Sequence, residues 1–513
     1  MWLYSLAQTW ILSASVSAIA LPISLLLGAG IAKKRIAGTQ FALAILSAMI
    51  AVPIYVQAGA WNSMFGQFGW WTMTQVGASQ NPLGGMPAVV WIHAVSAIPW
   101  LTLVFVFGFL RSNRRIEEAG ALEADWLTVL LRIQLPLLSP FILLASLLLL
   151  ILVSVDMTIT NLYRVSTVTE MVYQQASAGQ MDQWTWVIPL LSVPSIAFAF
   201  ALLHGYCFRA LWKGTFSITN SDRFLSLNEP RPYHTLQHRI LVNTLFWSVL
   251  LLIGLLPILN LIWNAGWISP VMAEGKAGYW SIGQLAHSLL GTPVEFREEF
   301  GWSIYIGVVA ASWWLLAGLT ISLLAIRFPV LRNPLGILCL LSVFLPGPLV
   351  GLFTIWFWNR SEPQWFGWLY DHTLIGPITA LGFRMFPAAY LASYFCLRRI
   401  PASVMEASRL EGCGQTRFLL GWFSRSKGYL LACWLLLFLL SLADLSAILL
   451  VVPPGVTPIS ARIFELLHYG VRYQEAGVCL ILASMSMFFG VVILQILSFG
   501  YHNGYRSGSV DES

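Results

Sequence analysis

The chain has 513 residues, of which 58% are hydrophobic and only 10% charged, and its formal net charge is +6. A soluble protein of this length needs far more polar surface to cover its core, so a water-soluble globular fold is excluded and a membrane protein is expected. The positive charge does not indicate nucleic acid, because the basic residues are not gathered into one patch but recur at intervals between apolar runs.

Eleven apolar runs follow one another, each near the roughly 20 residues that carry a helix across about 30 Å of hydrocarbon. They cover residues 9–31, 41–60, 86–110, 138–160, 184–207, 240–263, 300–326, 335–357, 373–397, 428–452 and 475–499. The first lacks a basic flank before it and reads as a permanent span, not a cleaved signal. Lys33, Lys34 and Arg35 follow the first run, and Arg111, Arg114, Arg115 and Arg132 follow the third. Arg209, Lys213, Arg223, Arg231 and Arg239 lie between the fifth and sixth, Arg327 and Arg332 follow the seventh, and residues 398–427 carry another basic group. The intervening loops hold few: Arg164, Lys276, Arg297, Arg360, Arg462 and Arg472. This alternation is the positive-inside pattern, which puts the C-terminus in the cytoplasm and the N-terminus outside, in a multi-pass plasma (bacterial inner) membrane protein. Trp61, Trp70, Trp71, Trp184, Trp186, Trp280, Trp302, Trp358, Trp365 and Trp368 fall near the outer ends of runs, as an interfacial aromatic belt would.

The organisation is duplicated. Residues 213–239 turn polar, with Asn220, Asp222, Asn228, Pro230 and Pro232 interrupting any helical period, and read as a cytoplasmic linker. A first core over residues 1–212 and a second over 300–500 share one plan: three spans, a charged cytoplasmic loop, a span, an outer loop and a last span. Residues 240–299 supply an accessory span and outer loop in front of the second core, and 501–513 form a cytoplasmic tail. Glu118 and Asp156 are 38 residues apart, and so are Glu406 and Asp444. An even number of spans separates the two charged loops, so the copies have the same orientation, as a parallel repeat. The expected fold is therefore all-α, a polytopic membrane protein with about 11 transmembrane helices in two parallel-repeat cores.

The charged loops, about 112–136 and 398–427, carry the functional signal. The first reads Glu117-Glu118-Ala119-Gly120-Ala121-Leu122-Glu123, then Ile133-Gln134-Leu135-Pro136. The second reads Glu406-Ala407-Ser408-Arg409-Leu410-Glu411-Gly412. Each is expected to form a short polar helix between two spans, and Ser403 with Glu406 makes a capping box that would start the second. Both loops resemble the "EAA" coupling motif of type I ABC importer permeases. Glu118, Ala119, Gly120, Ile133, Leu135 and Pro136 match in the first loop, where Glu123 joins the coupling set, and Glu406, Ala407, Ser408 and Gly412 match in the second. The first departs by lacking the central glycine, and the second has Trp422-Phe423-Ser424-Arg425 in place of Ile-x-Leu-Pro.

The resemblance implies a permease without ATPase activity of its own. It would dock a separate ABC ATP-binding subunit, a homodimer, through these loops, and receive solute from a periplasmic or extracellular solute-binding protein. The segments Pro453-Pro454-Gly455 with 459–470, and Thr160–Val165 with Thr169–Tyr173, are similar to the outer loops of fused ferric-iron permeases. Related fused permeases carry thiamine or other small solutes.

Consistent with that role, the chain has no G-x-x-x-x-G-K-[ST] phosphate loop, no catalytic cluster and no resident cofactor or metal site by motif. Its six cysteines are spaced for packing, and its histidines (His93 and His204 among them) read as loop or interfacial residues. Arg384, Asp156 and Asp444 are charged residues within spans. Arg384, costing about 2.5–3.5 kcal/mol at mid-membrane, must face a wet cavity or a carboxylate. Asp156 and Asp444, near the outer ends of matching spans, are candidates for the translocation path, where oxygen ligands would suit a hard cation; helix capping or pairing is the alternative.

Overall fold

The computed structural model describes residues 1–33, 36–67, 69–72, 82–112, 116, 129–208, 236–268, 278–360, 363–398, 410, 415–469 and 472–508. Among these, helix is nearly universal, and one antiparallel ribbon, β1 (Trp267–Ile268) with β2 (Tyr279–Trp280), pairs Trp267 with Trp280. Among the described residues, eight helices are long and apolar enough to cross a membrane, or up to 11 if each of three bent pairs is one span. The protein is thus an all-α polytopic membrane protein.

Contacts divide the chain into two units: Met1–Ile50, Val56–Gln174 and Met181–Ala286 in the first, and Ala51–Tyr55, Gln175–Gln180 and His287–Ser513 in the second. The first unit contains α1 (Trp2–Ala32), α2 (Thr39–Ile50), α3 (Ile54–Phe65), α4 (Gly85–Arg111), α5 (Leu135–Val155), the single turn α6 (Thr158–Leu162), α7 (Val168–Ser177), α8 (Gln183–Phe208) and α9 (Leu236–Ala265). Its α1 is built inside out relative to a helix of a soluble protein. Ser5, Thr9, Ser13, Ser17 and Ser24 are buried, while Leu3, Ile11 and Leu26 are exposed. Lipid accepts the leucines, and the small hydroxyl residues let neighbouring helices approach closely. At Gly28 a Cβ would stand 2.8 Å from Phe105 Cβ of α4, so only glycine fits that crossing.

The second unit follows with α10 (Ile282–Glu295), α11 (Arg297–Arg327), α12 (Arg332–Phe344), α13 (Gly347–Trp358), α14 (Trp365–His372), α15 (Ile375–Arg398), α16 (Gln415–Ala443), α17 (Ile459–Tyr469) and α18 (Arg472–Gly508); the first residues of α10 fall at the end of the first unit. It repeats the neighbours of the first. As α1 packs on α4 and α5, and α5 on α8, so α11 packs on α15 and α16, and α16 on α18. Gly318 of α11 meets α15 as Gly28 of α1 meets α4, with a Cβ placed 2.6 Å from the Ala389 carbonyl oxygen. A hydroxyl on α1 and one on α11 each accept from the leading amide of a short helix, α7 and α17 respectively. Val168 N–H donates to Thr9 Oγ1 at 3.0 Å, and Ile459 N–H to Ser303 Oγ at 2.7 Å. Each bond satisfies one of the amides that a helix start leaves free.

Three features differ from the sequence expectation. The runs 41–60 and 335–357 are not continuous helices: α2 and α3 meet at 101°, and α12 and α13 at 112°. Pro53 and Pro346 explain the breaks, because proline removes a helical N–H and pushes the preceding residue out of the α region; Leu345 has φ −75° and ψ 123°. The third bent pair, α14 with α15 at 91°, adds a short helix before the span expected at 373–397. Contacts group α9, read from sequence as an accessory span in front of the second core, with the first unit. There Asn243 Oδ1 accepts from Ala37 N–H at 2.8 Å and Trp247 Nε1 donates to Ala37 O at 3.2 Å. Trp61 and Trp358 are buried, not in an exposed belt: Trp61 lies edge-on to Trp91, and Trp358 Nε1 donates to Thr379 Oγ1 at 3.1 Å. Trp184, Trp280, Trp365 and Trp368 are exposed, as a belt requires.

Candidate functional site

Of the expected coupling residues, Glu118, Ala119, Gly120, Glu123, Glu406, Ala407, Ser408 and Gly412 lie outside the described residues. Leu135 and Pro136 open α5, directly after a π-helical turn at Leu130–Gln134. Pro136 lacks the amide that would continue the helical ladder from that turn, and the irregular π-helical turn sits at this junction. The described helices that flank the loops are α4 and α5 around the first, and α15 and α16 around the second.

Asp444 follows the last residue of α16 and is 13% exposed. Its Oδ1 accepts from Ala447 N–H at 3.1 Å and from Ser446 Oγ at 3.2 Å, so the carboxylate caps the turn that begins there. Its Oδ2 accepts from Arg384 Nε of α15 at 2.8 Å. Arg384 is 18% exposed and also donates from Nη1 to the Leu345 carbonyl at 3.1 Å. That carbonyl belongs to the residue between α12 and α13, where the helix break leaves it without a helical donor. Gly347, the first residue of α13, sits against the same turn: a Cβ there would fall 2.1 Å from Ser446 Oγ. One arginine therefore ties three elements together: the end of α16, the middle of α15 and the break between α12 and α13. Of the two settings expected for Arg384, the carboxylate is the one present.

The equivalent aspartate of the first unit has the same two duties. Asp156 closes α5, and its Oδ1 and Oδ2 accept from Thr158 N–H at 3.3 Å and Ile159 N–H at 3.0 Å, capping α6. In place of an arginine it meets His93 of α4, whose Nε2 lies 3.3 Å from Asp156 Oδ2 and whose Nδ1 lies 2.9 Å from the Val89 carbonyl. His93 is buried inside a span, which corrects its sequence reading as a loop or interfacial residue; His204 of α8 is buried just past the end of its span. A signal for His93 was present. Pro99 and Pro387 are offset by the same 288 residues as Asp156 and Asp444, which aligns Ser96 with Arg384 and leaves His93 one helical turn away.

On α7, outside the spans, Glu170 is 1% exposed. Its Oε1 accepts from Asn161 Nδ2 at 3.4 Å and from Gln174 Nε2, and its Oε2 is buried with no partner. Burial pushes its pKa above the ordinary carboxylate value, against a smaller opposing effect of the two amides.

Chemically, these groups anchor helices. Both oxygens of Asp444 and of Asp156 already accept from the protein, and among the described residues no group of three or more His, Cys, Asp or Glu side chains converges. Cys339, Cys396 and Cys479 are buried and Cys433 is half-buried. No protein-family model matches the chain, and neither a curated protein nor a solved structure matches it.

Proposed function

We propose that this chain is the transmembrane permease subunit of an ATP-driven, binding-protein-dependent importer, with both permease cores in one polypeptide. The observation that carries the reading is the duplication: two "EAA"-like loops in equivalent places, each followed 38 residues later by an aspartate that ends the next span. A gradient-driven transporter needs no docking loops of this kind, and an enzyme needs a catalytic cluster.

The aspartates give the loops something to push. In each unit the helices before and after the loop meet at the far end of the second helix from the loop, through His93 and Asp156 or through Arg384 and Asp444. A displacement applied by an ATP-binding subunit at Glu118 or Glu406 then moves a joined pair of spans as a body. Because Arg384 also holds the Leu345 carbonyl, the second pair carries the α12–α13 break with it. Alternating access would follow from that motion, with ATP hydrolysed by the partner.

The solute class this reading favours is ferric iron, on the strength of the outer-loop resemblance at Pro453–Gly455 and 459–470. Asp156 in the first unit, and Asp444 with Arg384 in the second, are the residues this reading assigns to the path. The test is reconstitution of the chain with its candidate ATP-binding subunit and binding protein in proteoliposomes. ATPase activity confined to the assembled complex and ATP-dependent uptake of labelled iron are expected. Uptake driven by an ion gradient without the ATP-binding subunit would refute the permease reading, whereas ATP-dependent uptake of thiamine but not iron would refute only the solute.

A further inference from the structure

Helix α10 (Ile282–Glu295) lies in a segment expected from sequence to be an outer loop, and its faces are reversed relative to an amphipathic helix on a soluble protein. Ile282, Leu290 and Val294 are 75%, 76% and 71% exposed, and with exposed Ala286 they recur every fourth residue, which places them along one side. The buried positions are the hydroxyl residues Ser288 and Thr292. Thr292 Oγ1 donates to the Ser288 carbonyl, and both stand against Gly477 of α18, where a Cβ would fall 2.6 Å from Thr292 Oγ1.

Three observations indicate what covers the exposed side. From Ile282 to Val294 the helix carries no Asp, Glu, Lys or Arg, its exposed polar side chain is His287, one position from Ala286, and a helix at an aqueous surface would turn Ser288 and Thr292 outward. Its level in the membrane is set by neighbours. Glu295 meets Gln474, the first residue of the α18 span, and Ser288 and Thr292 cross α18 at Gly477, three residues or about 5 Å further in. Its ends carry interfacial chemistry: exposed Tyr279 and Trp280 just before it, and Arg297, Glu298 and Glu299 just after, where α11 begins. At 14 residues it is about 21 Å long, too short to cross.

We infer that α10 is embedded in the leaflet at the Arg297 end of α11, with the Ile282, Ala286, Leu290 and Val294 side covered by lipid acyl chains and the hydroxyl side seated on α18. Lipid is favoured over a protein partner because the stripe is uniformly apolar, has no Asp, Glu, Lys or Arg along its length, and is followed in sequence by a span, α11, that also exposes Ile304, Tyr305 and Val308. The same helix gives the second unit a collar at one membrane face, so the composition of that leaflet becomes a variable for the transporter.

The test uses the full chain in nanodiscs, its native cysteines replaced, with a nitroxide placed by cysteine substitution at residue 290, 294, 288 or 298 in turn. Accessibility to dissolved oxygen, which concentrates in acyl chains, is compared with accessibility to a water-soluble nickel chelate. Labels at 290 and 294 are expected to favour oxygen over nickel, giving a depth parameter opposite in sign to that at exposed Glu298. A label at 288 that disturbs packing is replaced by one at 286, expected to behave as 290 does. Nickel accessibility at 290 and 294 equal to that at 298 overturns the inference in favour of water. Exclusion of both reagents at 290 and 294 overturns it in favour of a protein cover, a second copy or another chain.

Discussion

The pairing of Arg384 with Asp444 invites a double-mutant cycle, because its two halves should fail by different amounts. The contact is short, 2.8 Å, and both side chains are mostly withdrawn from solvent at 18% and 13% exposure. Removing one partner of such a pair costs about 3–5 kcal/mol, since the other charge is left in a poor environment. The residual exposure argues for the lower end of that range. Asp444→Asn strands a guanidinium that keeps only the Leu345 carbonyl and cannot give up its proton. Arg384→Met strands a carboxylate that keeps Ala447 N–H and Ser446 Oγ and can take up a proton instead. We expect losses of about 3 kcal/mol for Asp444→Asn and about 2 kcal/mol for Arg384→Met, and only about 2–3 kcal/mol for the double variant, a coupling of about 2–3 kcal/mol. Reversible unfolding in mixed detergent micelles reads all four corners of the cycle. Hydrogen bonds between membrane helices average about 0.6 kcal/mol by the same method, so coupling above about 1.5 kcal/mol identifies charge pairing. Additivity within 0.5 kcal/mol, or a larger loss for Arg384→Met than for Asp444→Asn, refutes the reasoning.

Other outcomes follow from single positions. Gly347→Ala should lose about 1–3 kcal/mol in the same assay, because its Cβ would collide with Ser446, while Gly336→Ala on α12, with nothing within 4 Å, should be neutral or gain up to about 1 kcal/mol; equal effects would remove the close approach at the break. Charge reversal at Glu118 and at Glu406 should impair transport to different degrees, since Ile-x-Leu-Pro follows only the first loop and the central glycine is kept only in the second; equal losses within error count against unequal coupling. Glu170 holds its proton more tightly folded than unfolded, so its neutral form is tolerated below the ordinary value of 4.5 and stability falls as pH rises from there through the raised folded value. Glu170→Gln should therefore gain on the wild type across that interval, read as midpoint against pH. A difference that does not change with pH would mean that burial does not perturb this carboxyl.

Composition and run length were enough to read an all-α membrane protein, because the bilayer demands the same thing of every span: about 20 apolar residues with their backbone bonds closed internally. The breaks at Pro53 and Pro346 were missed by the same criterion, since hydropathy averages over a window and a bent helix is as apolar as a straight one. Proline was the available signal, but proline is also common inside spans that stay continuous, as Pro22 in α1 and Pro99 in α4 do here. What separates the cases is tertiary: at Leu345 the freed carbonyl finds Arg384, a donor from another helix 39 residues away in sequence. The aspartates were legible as positions because the 38-residue spacing repeats, yet their roles were not, since capping, pairing and lining a path all favour a carboxylate at a span end. Histidine was the least legible. His93 carries no charge in a tally of basic residues, so neither the positive-inside count nor the cost of a buried cation drew attention to it, although from one helical turn away it meets the aspartate of the first unit as Arg384 meets that of the second. The two units thus keep the same joint and build it with different bases, one permanently charged and one whose charge depends on a proton. A repeat preserves the geometry that its function needs before it preserves the residues that supply it.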